Sequence, residues 1–249
     1  MDAEFISLAR DHPATNHPFL GRFGSLTVEG FRQFVREQYR LSSTFSQALA
    51  TAYGLAEELV DTDSGRVLPA WQLAQPLADL LRVEPWGSPD GHGSAFLAMA
   101  DSVGLSLDDL TQHRPYGETQ AFTDARARIC RDSFLRAVSA LGVTECANVT
   151  IFGRYLDGAR QIRDRERVPI DLDYFEVHVR DEPDDAAKFA GMMAPYLSPH
   201  DPGVCSSRGE RAAWNRDIAL YAGQELLDAR KTWYDTLDRR LAFKSGPGQ

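Results

Sequence analysis

The sequence predicts an all-α protein, a bundle of about seven helices. Apolar residues recur at three- and four-residue intervals along most of the chain, while the strict alternation that is typical of strands is nearly absent. Proline and glycine separate the helical segments, and no internal repeat or low-complexity linker divides the chain. We therefore expect one helical domain that spans residues 1–249.

The individual helices are predicted from apolar spacing and from residues typical of helix ends. Thr27 is a candidate N-cap for a helical segment over 27–60. Pro69 suits the first turn of the next helix, which we expect to reach about residue 82 with a bend at Pro76. The stretch 85–91, rich in Pro and Gly, is predicted to be a loop. Further helices are predicted over 93–103, 119–141, 143–163, 171–193 and 207–242.

Composition excludes several classes of protein. The chain has 36 acidic and 27 basic residues and a formal net charge of −9, so it lacks the basic surface of a nucleic-acid binder. No apolar run approaches the ~20 residues of a membrane span, and the N-terminus lacks the pattern of a signal peptide. We expect a soluble, cytoplasmic protein without a membrane partner. Cys130, Cys146 and Cys205 show no CxxC spacing and are expected to be free thiols.

One helix places three potential metal ligands on a single face. At ~100° per residue, Glu182 lies about 40° to one side of His178 around the helix, and Asp185 about 20° to the other side. Pro183 opens an alternative interpretation, because a proline followed by acids is typical of a new helix start. In that case Asp185 and Glu182 would bind nothing.

Further carboxylates and a second histidine lie elsewhere in the chain. Glu145 stands in an apolar segment, where an acid is costly unless it is paired, protonated or bound to metal; alternatively, it is a first-turn acid behind an N-cap at Thr144. His92 follows a loop that begins after Glu84. Two adjacent acids near the end of a long helix, Glu57 and Glu58, are either ligands or solvated. Carboxylates and imidazoles from several helices are the ligands of di-iron and di-manganese sites in bundles.

The N-terminal residues carry a family resemblance. The segment Asn16-His17-Pro18-Phe19-Leu20, followed by Phe31-Arg32-Gln33-Phe34-Val35-Arg36-Glu37-Gln38-Tyr39, resembles the first helices of the heme-oxygenase-like superfamily. That superfamily includes thiaminase II-type (TenA-like) proteins, a cofactorless quinone-cofactor synthase and the heme-oxygenase-like di-iron oxidases. The order and spacing of the helices along nearly the whole chain are most similar to those of the di-iron oxidases.

The resemblance implies a pair of Fe(II) ions per chain, with O₂ as co-substrate. In the family's pattern the better site falls on His92, Glu145 and Glu58 (or Glu57). The looser site falls on Glu84, His178, Glu182 and Asp185, where the family has a His in place of Asp185. This departure indicates that the second iron is bound weakly or not at all. A set of ligands rich in hard oxygen donors suits Fe(II) or Mn(II) better than copper or structural zinc.

The activity implied by the resemblance is oxidation of a small molecule by O₂. Amino acids, fatty acids and their relatives are the expected substrates, with N-oxygenation, desaturation or C–C cleavage as the outcome. An amino acid needs a cation for its carboxylate, and Arg154 and Arg160 are conceivable, though both are equally typical of a surface. We also expect a homodimer, as is frequent in this superfamily.

Two other functions compete with the oxidase. A thiaminase II-type hydrolase would need a nucleophilic cysteine beside an acid. Cys146 adjoins Glu145, but neighbours on a helix point ~100° apart, which argues against a working pair. The other competitor is a cofactorless or non-catalytic relative that has lost its metal, for which the missing histidine is the best argument.

Overall fold

The protein is all-α, as the sequence predicts. The computed structural model describes residues 3–58, 70–83, 91–197 and 207–244, except for the side chains of a few residues at helix ends. Within these ranges there is no β-strand, and the extended backbone forms one isolated β-bridge, between Leu26 and Phe243. The α-helices are α1 (Ala3–Asp11), α2 (Pro18–Arg22), α3 (Val28–Ser43), α4 (Phe45–Glu58), α5 (Ala70–Val83), α6 (His92–Ser102), α7 (Leu107–Thr111), α8 (Gly117–Asp132), α9 (Phe134–Glu166), α10 (Asp173–Leu197) and α11 (Ser207–Arg240).

Helix α9 is the centre of the bundle. It packs along α10 and α11 and also contacts α1, α4 and α8. Gly142 lets α10 approach closely, because a Cβ atom built there would lie 2.7 Å from the Cβ atom of Phe189. Gly223 of α11 meets Val143 of α9 in the same way, at 2.8 Å. The glycines at these positions therefore let α10 and α11 pack closely against α9, near the buried polar residues of the bundle.

Polar side chains define where the helices begin. The hydroxyl of Thr27 accepts a hydrogen bond from the backbone N–H of Gly30 at 3.0 Å, which confirms the predicted N-cap. Ser133 caps α9 by accepting from the N–H of Arg136. The predicted segment 27–60 is two helices, because the chain is interrupted at Thr44.

One prediction about helix boundaries is wrong. The break expected between 119–141 and 143–163 lies at Ser133, whose backbone is extended, and α9 continues through Gly142. A glycine that suggested a break is instead a point of close helix packing. The short helices α1, α2 and α7 were not assigned from the sequence, because they are too brief for a clear apolar period.

Helix α10 runs without a break through Pro183. The interpretation that Pro183 starts a new helix is therefore wrong. Glu182 and Asp185 are both buried on this helix, 3% and 8% exposed.

A buried carboxylate that sequence analysis did not single out joins α3 to α8. Glu37 is fully buried, and its Oε2 atom accepts from the hydroxyl of Thr119 and the backbone N–H of Tyr116. Its Oε1 atom lies 2.6 Å from Nε2 of His113. Trp233 of α11 extends the network by donating its indole N–H to Thr119 at 3.0 Å. Glu37 thus ties α3 to the start of α8, and Trp233 joins α11 to the same network through Thr119.

Within the described ranges, no helix combines the length and apolar character needed to cross a membrane. Cys130 and Cys146 are free thiols, as expected, and Cys205 lies outside the described residues.

The packing at Gly142 predicts a change in stability. Gly142→Ala adds a Cβ atom against Phe189, and such overpacking costs about 1–3 kcal/mol. This exceeds the ~1 kcal/mol that alanine gains over glycine in helix propensity. We expect a net loss in the free energy of unfolding, measured by urea denaturation.

Gly153→Ala is the matched control on the same helix, because nothing lies within 4 Å of a Cβ atom built at Gly153. This variant should be stabilised by about 0.5–1 kcal/mol. Equal stabilisation of both variants would show that α10 does not press on Gly142.

Candidate metal centre

A small polar cavity lies between α9 and its neighbours. Its volume is about 60 Å³, room for about four water molecules. Helices α3, α4, α5, α6, α8, α9, α10 and α11 all contribute side chains. Lining it are Gln38, Leu41, Ser42, Phe45, Leu80, His92, Gly93, Phe122, Arg126, Thr144, Glu145, Asn148, Phe152, Tyr174, His178, Glu182, Asp185, Phe189 and Arg230.

Five of the eight candidate ligands border this cavity: His92, Glu145, His178, Glu182 and Asp185. Glu84 lies outside the described residues. Glu57 and Glu58 end helix α4, and their side chains lie outside the described part of the chain. The structure thus brings together residues from α6, α9 and α10 that are up to 93 positions apart in the chain, from 92 to 185.

Glu145 lies in the middle of α9, so its interpretation as a first-turn acid capped by Thr144 is wrong. Its carboxylate is 5% exposed and accepts a hydrogen bond from Nδ2 of Asn148 at 3.0 Å. The same amide nitrogen lies 3.4 Å from Oε1 of Glu182, and Oδ1 of Asn148 accepts from Arg230 at 2.7 Å. Asn148 therefore links two buried carboxylates to a guanidinium group.

His178 is held so that one ring nitrogen is left for a ligand. Its Nδ1 atom lies 2.6 Å from the carbonyl oxygen of Tyr174, one turn earlier on α10. Donation of the Nδ1 proton to this carbonyl leaves a lone pair on Nε2, the arrangement found in many metal-binding histidines. The ring also stacks on Phe152, with centroids 4.1 Å apart.

The charge state of His178 agrees with this geometry. Burial lowers its pKa to about 3, and the neighbouring imidazole of His92 acts in the same direction. His178 is consequently a neutral imidazole at pH 7, which is the form that binds metal ions.

His92, the first residue of α6, faces His178. Their ring centroids are 4.5 Å apart, and Nε2 of His92 lies 3.6 Å from a carboxylate oxygen of Asp181. Asp181 was not a candidate from the sequence, although its position three residues after His178 places it near the same face. Its pKa is lowered, chiefly by hydrogen bonds from Arg180.

Asp185 borders the cavity but also pairs with a lysine. Its Oδ1 atom accepts a hydrogen bond from Nζ of Lys188 at 2.7 Å, one turn further along α10. Lys188 is half-exposed. A metal ion at Asp185 would therefore compete with this ammonium group for the carboxylate.

These donors match a hard divalent metal in type. Two imidazoles and three carboxylates without a thiolate suit Fe(II) or Mn(II). In the described part of the chain, however, no three His, Cys, Asp or Glu side chains are close enough together to hold one ion. The remaining expected ligands, Glu57 or Glu58 and Glu84, belong to the parts whose side chains are not described.

Two arginines border the cavity, and sequence analysis missed both. They are Arg126 of α8 and Arg230 of α11. Each occupies an apolar stripe of its helix: Arg126 follows Phe122 by four residues, and Arg230 lies between Leu226 and Trp233. A charged residue in such a position was the available signal.

The arginines considered from the sequence lie elsewhere. Arg160 pairs with the exposed Glu176, and Arg154 donates to Asn16. Neither borders the cavity.

The cysteines of the described chain do not form a nucleophilic site. Cys146 is absent from the cavity wall, and burial together with the charge of Glu145 raises its thiol pKa to about 11. Burial raises the pKa of Cys130 to about 11 as well. Neither thiol is activated, because a reactive cysteine needs a lowered pKa.

Comparison with known proteins identifies the fold. No protein-family model and no curated protein matches the sequence. A solved CADD-like protein of unknown function from Nostoc punctiforme is similar in structure, with a TM-score of 0.72 and 13% identity, over 96% of this chain and 95% of that one. A TenA homologue from Pseudomonas syringae gives a TM-score of 0.65 and 15% identity, over 95% and 90% of the two chains.

The fold of a third similar structure is known by name. It is a domain of unknown function with a heme oxygenase-like fold from Shewanella denitrificans, with a TM-score of 0.59 and 14% identity. The match covers 98% of this chain and 95% of that one. The order of helices, the central α9 and these similarities together show that the chain has the heme-oxygenase-like fold shared by TenA-like and CADD-like proteins.

Proposed function

We propose that the protein is a non-heme di-iron enzyme that uses O₂ to oxidise a small molecule. The observation that carries this proposal is that two imidazoles and three carboxylates from α6, α9 and α10 border one cavity. His92, Glu145, His178, Glu182 and Asp185 would hold the metal, completed by Glu57 or Glu58 and by Glu84. When bound, a pair of ferrous ions supplies electrons for reducing O₂, chemistry that side chains alone do not provide.

The residues around these donors support such a role. Asn148 holds the carboxylates of Glu145 and Glu182 near each other through one amide group. Tyr174 orients His178 through its carbonyl oxygen. Phe152 and Phe189 add apolar surface to the cavity wall, against which the carbon atoms of a substrate would pack.

Arg230 supports an acidic small molecule, such as an amino acid, as the substrate. It has no carboxylate partner within hydrogen-bonding distance among the described residues, and it donates to the neutral amide oxygen of Asn148. A guanidinium group can bind a carboxylate through two parallel hydrogen bonds. Because Arg230 borders the cavity from α11, it would hold the acidic end of a substrate there.

Two other functions predict that the protein does not bind iron. A thiaminase II-type hydrolase, suggested by the structural similarity to a TenA homologue, would act without iron through a cysteine. A cofactorless relative is favoured by the absence of a cluster of three donors among the described residues. Iron binding distinguishes the proposed oxidase from both.

The iron content of the protein tests the proposed oxidase. Anaerobic loading with Fe(II), followed by gel filtration and metal analysis, should give about two iron ions per chain, as in bundle di-iron proteins. Glu182→Gln should lower the iron content, because it removes a buried carboxylate from the cavity.

Glu176→Gln is the matched control, since it makes the same change on an exposed position of α10. It should retain the iron content of the unaltered protein. Absence of stoichiometric iron from the unaltered protein would refute the di-iron proposal, and equal iron in both variants would remove Glu182 from the ligand set.

The second prediction tests Asp185. If Asp185 is a ligand, Lys188→Gln frees its carboxylate from a competing cation and should tighten the weaker iron site by about tenfold. Asp185→Asn should lose that site, and Asp185→His should keep it, because imidazole is an equivalent ligand. Fe(II) titrations followed by calorimetry measure the affinity. If Asp185 serves only to pair with Lys188, none of the three variants will change iron binding.

The third prediction tests Arg230. A panel of amino acids and short fatty acids is titrated against the iron-loaded protein, and binding is followed by the rise in unfolding temperature. We expect one or more to bind and Arg230→Gln to weaken that binding by about tenfold or more, since a charged hydrogen bond is lost.

Arg154→Gln is the control for Arg230, because Arg154 lies away from the cavity. Iron content is measured in the same samples, since Arg230 also bonds Asn148. Equal binding by the Arg230 and Arg154 variants would contradict the assignment of Arg230.

A further inference from the structure

A second concave site lies on the outer side of the helices that border the cavity. It is a groove of about 320 Å³ between α4 and α8, into which α3 also contributes. Three guanidinium groups line it, those of Arg40, Arg126 and Arg131, and we call it the arginine groove. The carboxylate among the described lining residues is that of Asp124, which accepts a hydrogen bond from Gln120 at 2.7 Å.

Two of these arginines are not neutralised by the described part of the protein. Arg40 donates from Nη2 to the side-chain oxygen of Gln120 at 3.2 Å, and Arg131 donates from Nε to the carbonyl of Ala127. Neither lies within 4.0 Å of a described carboxylate. In addition, Nε of Arg40 is buried and makes no hydrogen bond with the described residues. Clustered cations without counter-charges repel one another, which disfavours the folded state.

An adjacent groove shows the usual arrangement of arginines in this acidic chain. Arg128 and Arg136 both bind the carboxylate of Glu225, at 2.6 and 2.7 Å. Arg136 also pairs with Asp132. These arginines lie beside Arg131, which borders both grooves. The neighbouring groove supplies acids for its arginines, whereas the arginine groove has a surplus of positive charge.

We propose that the arginine groove binds a phosphate group, either free or as the ester of a small metabolite. The guanidinium groups of Arg40 and Arg131, which pair with no described carboxylate, leave positive charge that a phosphate of charge about −1.5 to −2 would balance. The planar donors of arginine match phosphate oxygens in pairs. The groove has the volume of a typical metabolite site, about 300–1,000 Å³. The groove shares Arg126 with the cavity of the proposed oxidase, but the phosphate proposal does not depend on that function.

The hydroxyl groups of the groove are already committed. Thr44, Thr51 and Thr123 each donate a hydrogen bond to a backbone carbonyl of their own helix or its neighbour. The anion would therefore be held by guanidinium groups, and its binding should be sensitive to ionic strength and to the loss of a single arginine.

The test is calorimetric titration of the full chain with four probes at constant ionic strength. Inorganic phosphate and AMP should bind, while adenosine and citrate should not bind or should bind at least about tenfold more weakly, since charge and geometry select phosphate. Tighter binding of AMP than of phosphate would identify a phosphate ester as the ligand of the groove. Equal binding of the two would identify the free phosphate ion as the ligand. If neither phosphate nor AMP bound with a Kd below about 10 mM at physiological ionic strength, the proposal would be wrong.

Variants locate the binding. Arg131→Gln changes an exposed side chain and should weaken phosphate binding by about tenfold, as expected for a charged hydrogen bond. Arg40→Gln should have a similar effect. Arg128→Gln, also on α8 but paired with Glu225, is the control and should leave the affinity unchanged. An equal loss in all three variants would indicate non-specific attraction to positive charge and would overturn the assignment.

Discussion

The arrangement of the candidate site depends on one buried carboxamide. Asn148 lies near the middle of α9, where its amide nitrogen faces Glu145 and Glu182 and its oxygen accepts from Arg230. Acids buried without such partners would cost several kilocalories per mole, so the polar interior requires these contacts. Through this side chain α9, α10 and α11 are joined at the same level, and the spacing of the three helices follows from it.

Close packing allows that junction to form. Gly142 and Gly223 remove side-chain volume where α10 and α11 cross α9, which brings the polar atoms of all three helices within hydrogen-bonding distance. Phe152 and Phe189 supply the apolar part of the wall beside these donors. Burial keeps His178 neutral, which is a requirement for a metal-binding imidazole.

Sequence reasoning predicted the helical class, the Thr27 cap and most helix cores, because these depend on local spacing. It misplaced the start of α9, since a glycine used for packing is indistinguishable by composition from a glycine that ends a helix. Candidate ligands on one helix, such as His178 and Glu182, follow from angular spacing alone. Partners contributed by distant segments, such as Arg230 and Asn148, depend on how the helices cross. The spacing of residues within one helix carries no information about that crossing.

Arg126 belongs to two surfaces at once. Its guanidinium group donates to the carbonyl oxygen of Leu41 and to the hydroxyl of Thr44, and the side chain borders both the central cavity and the arginine groove. Ligands on its two sides would draw on one positive charge, so the binding free energy of each would depend on the other. Thermodynamic reciprocity requires that any such effect be equal in both directions. If both sites bind ligands as proposed, the Arg126 side chain between them would link occupancy of the cavity to the concentration of an anion outside.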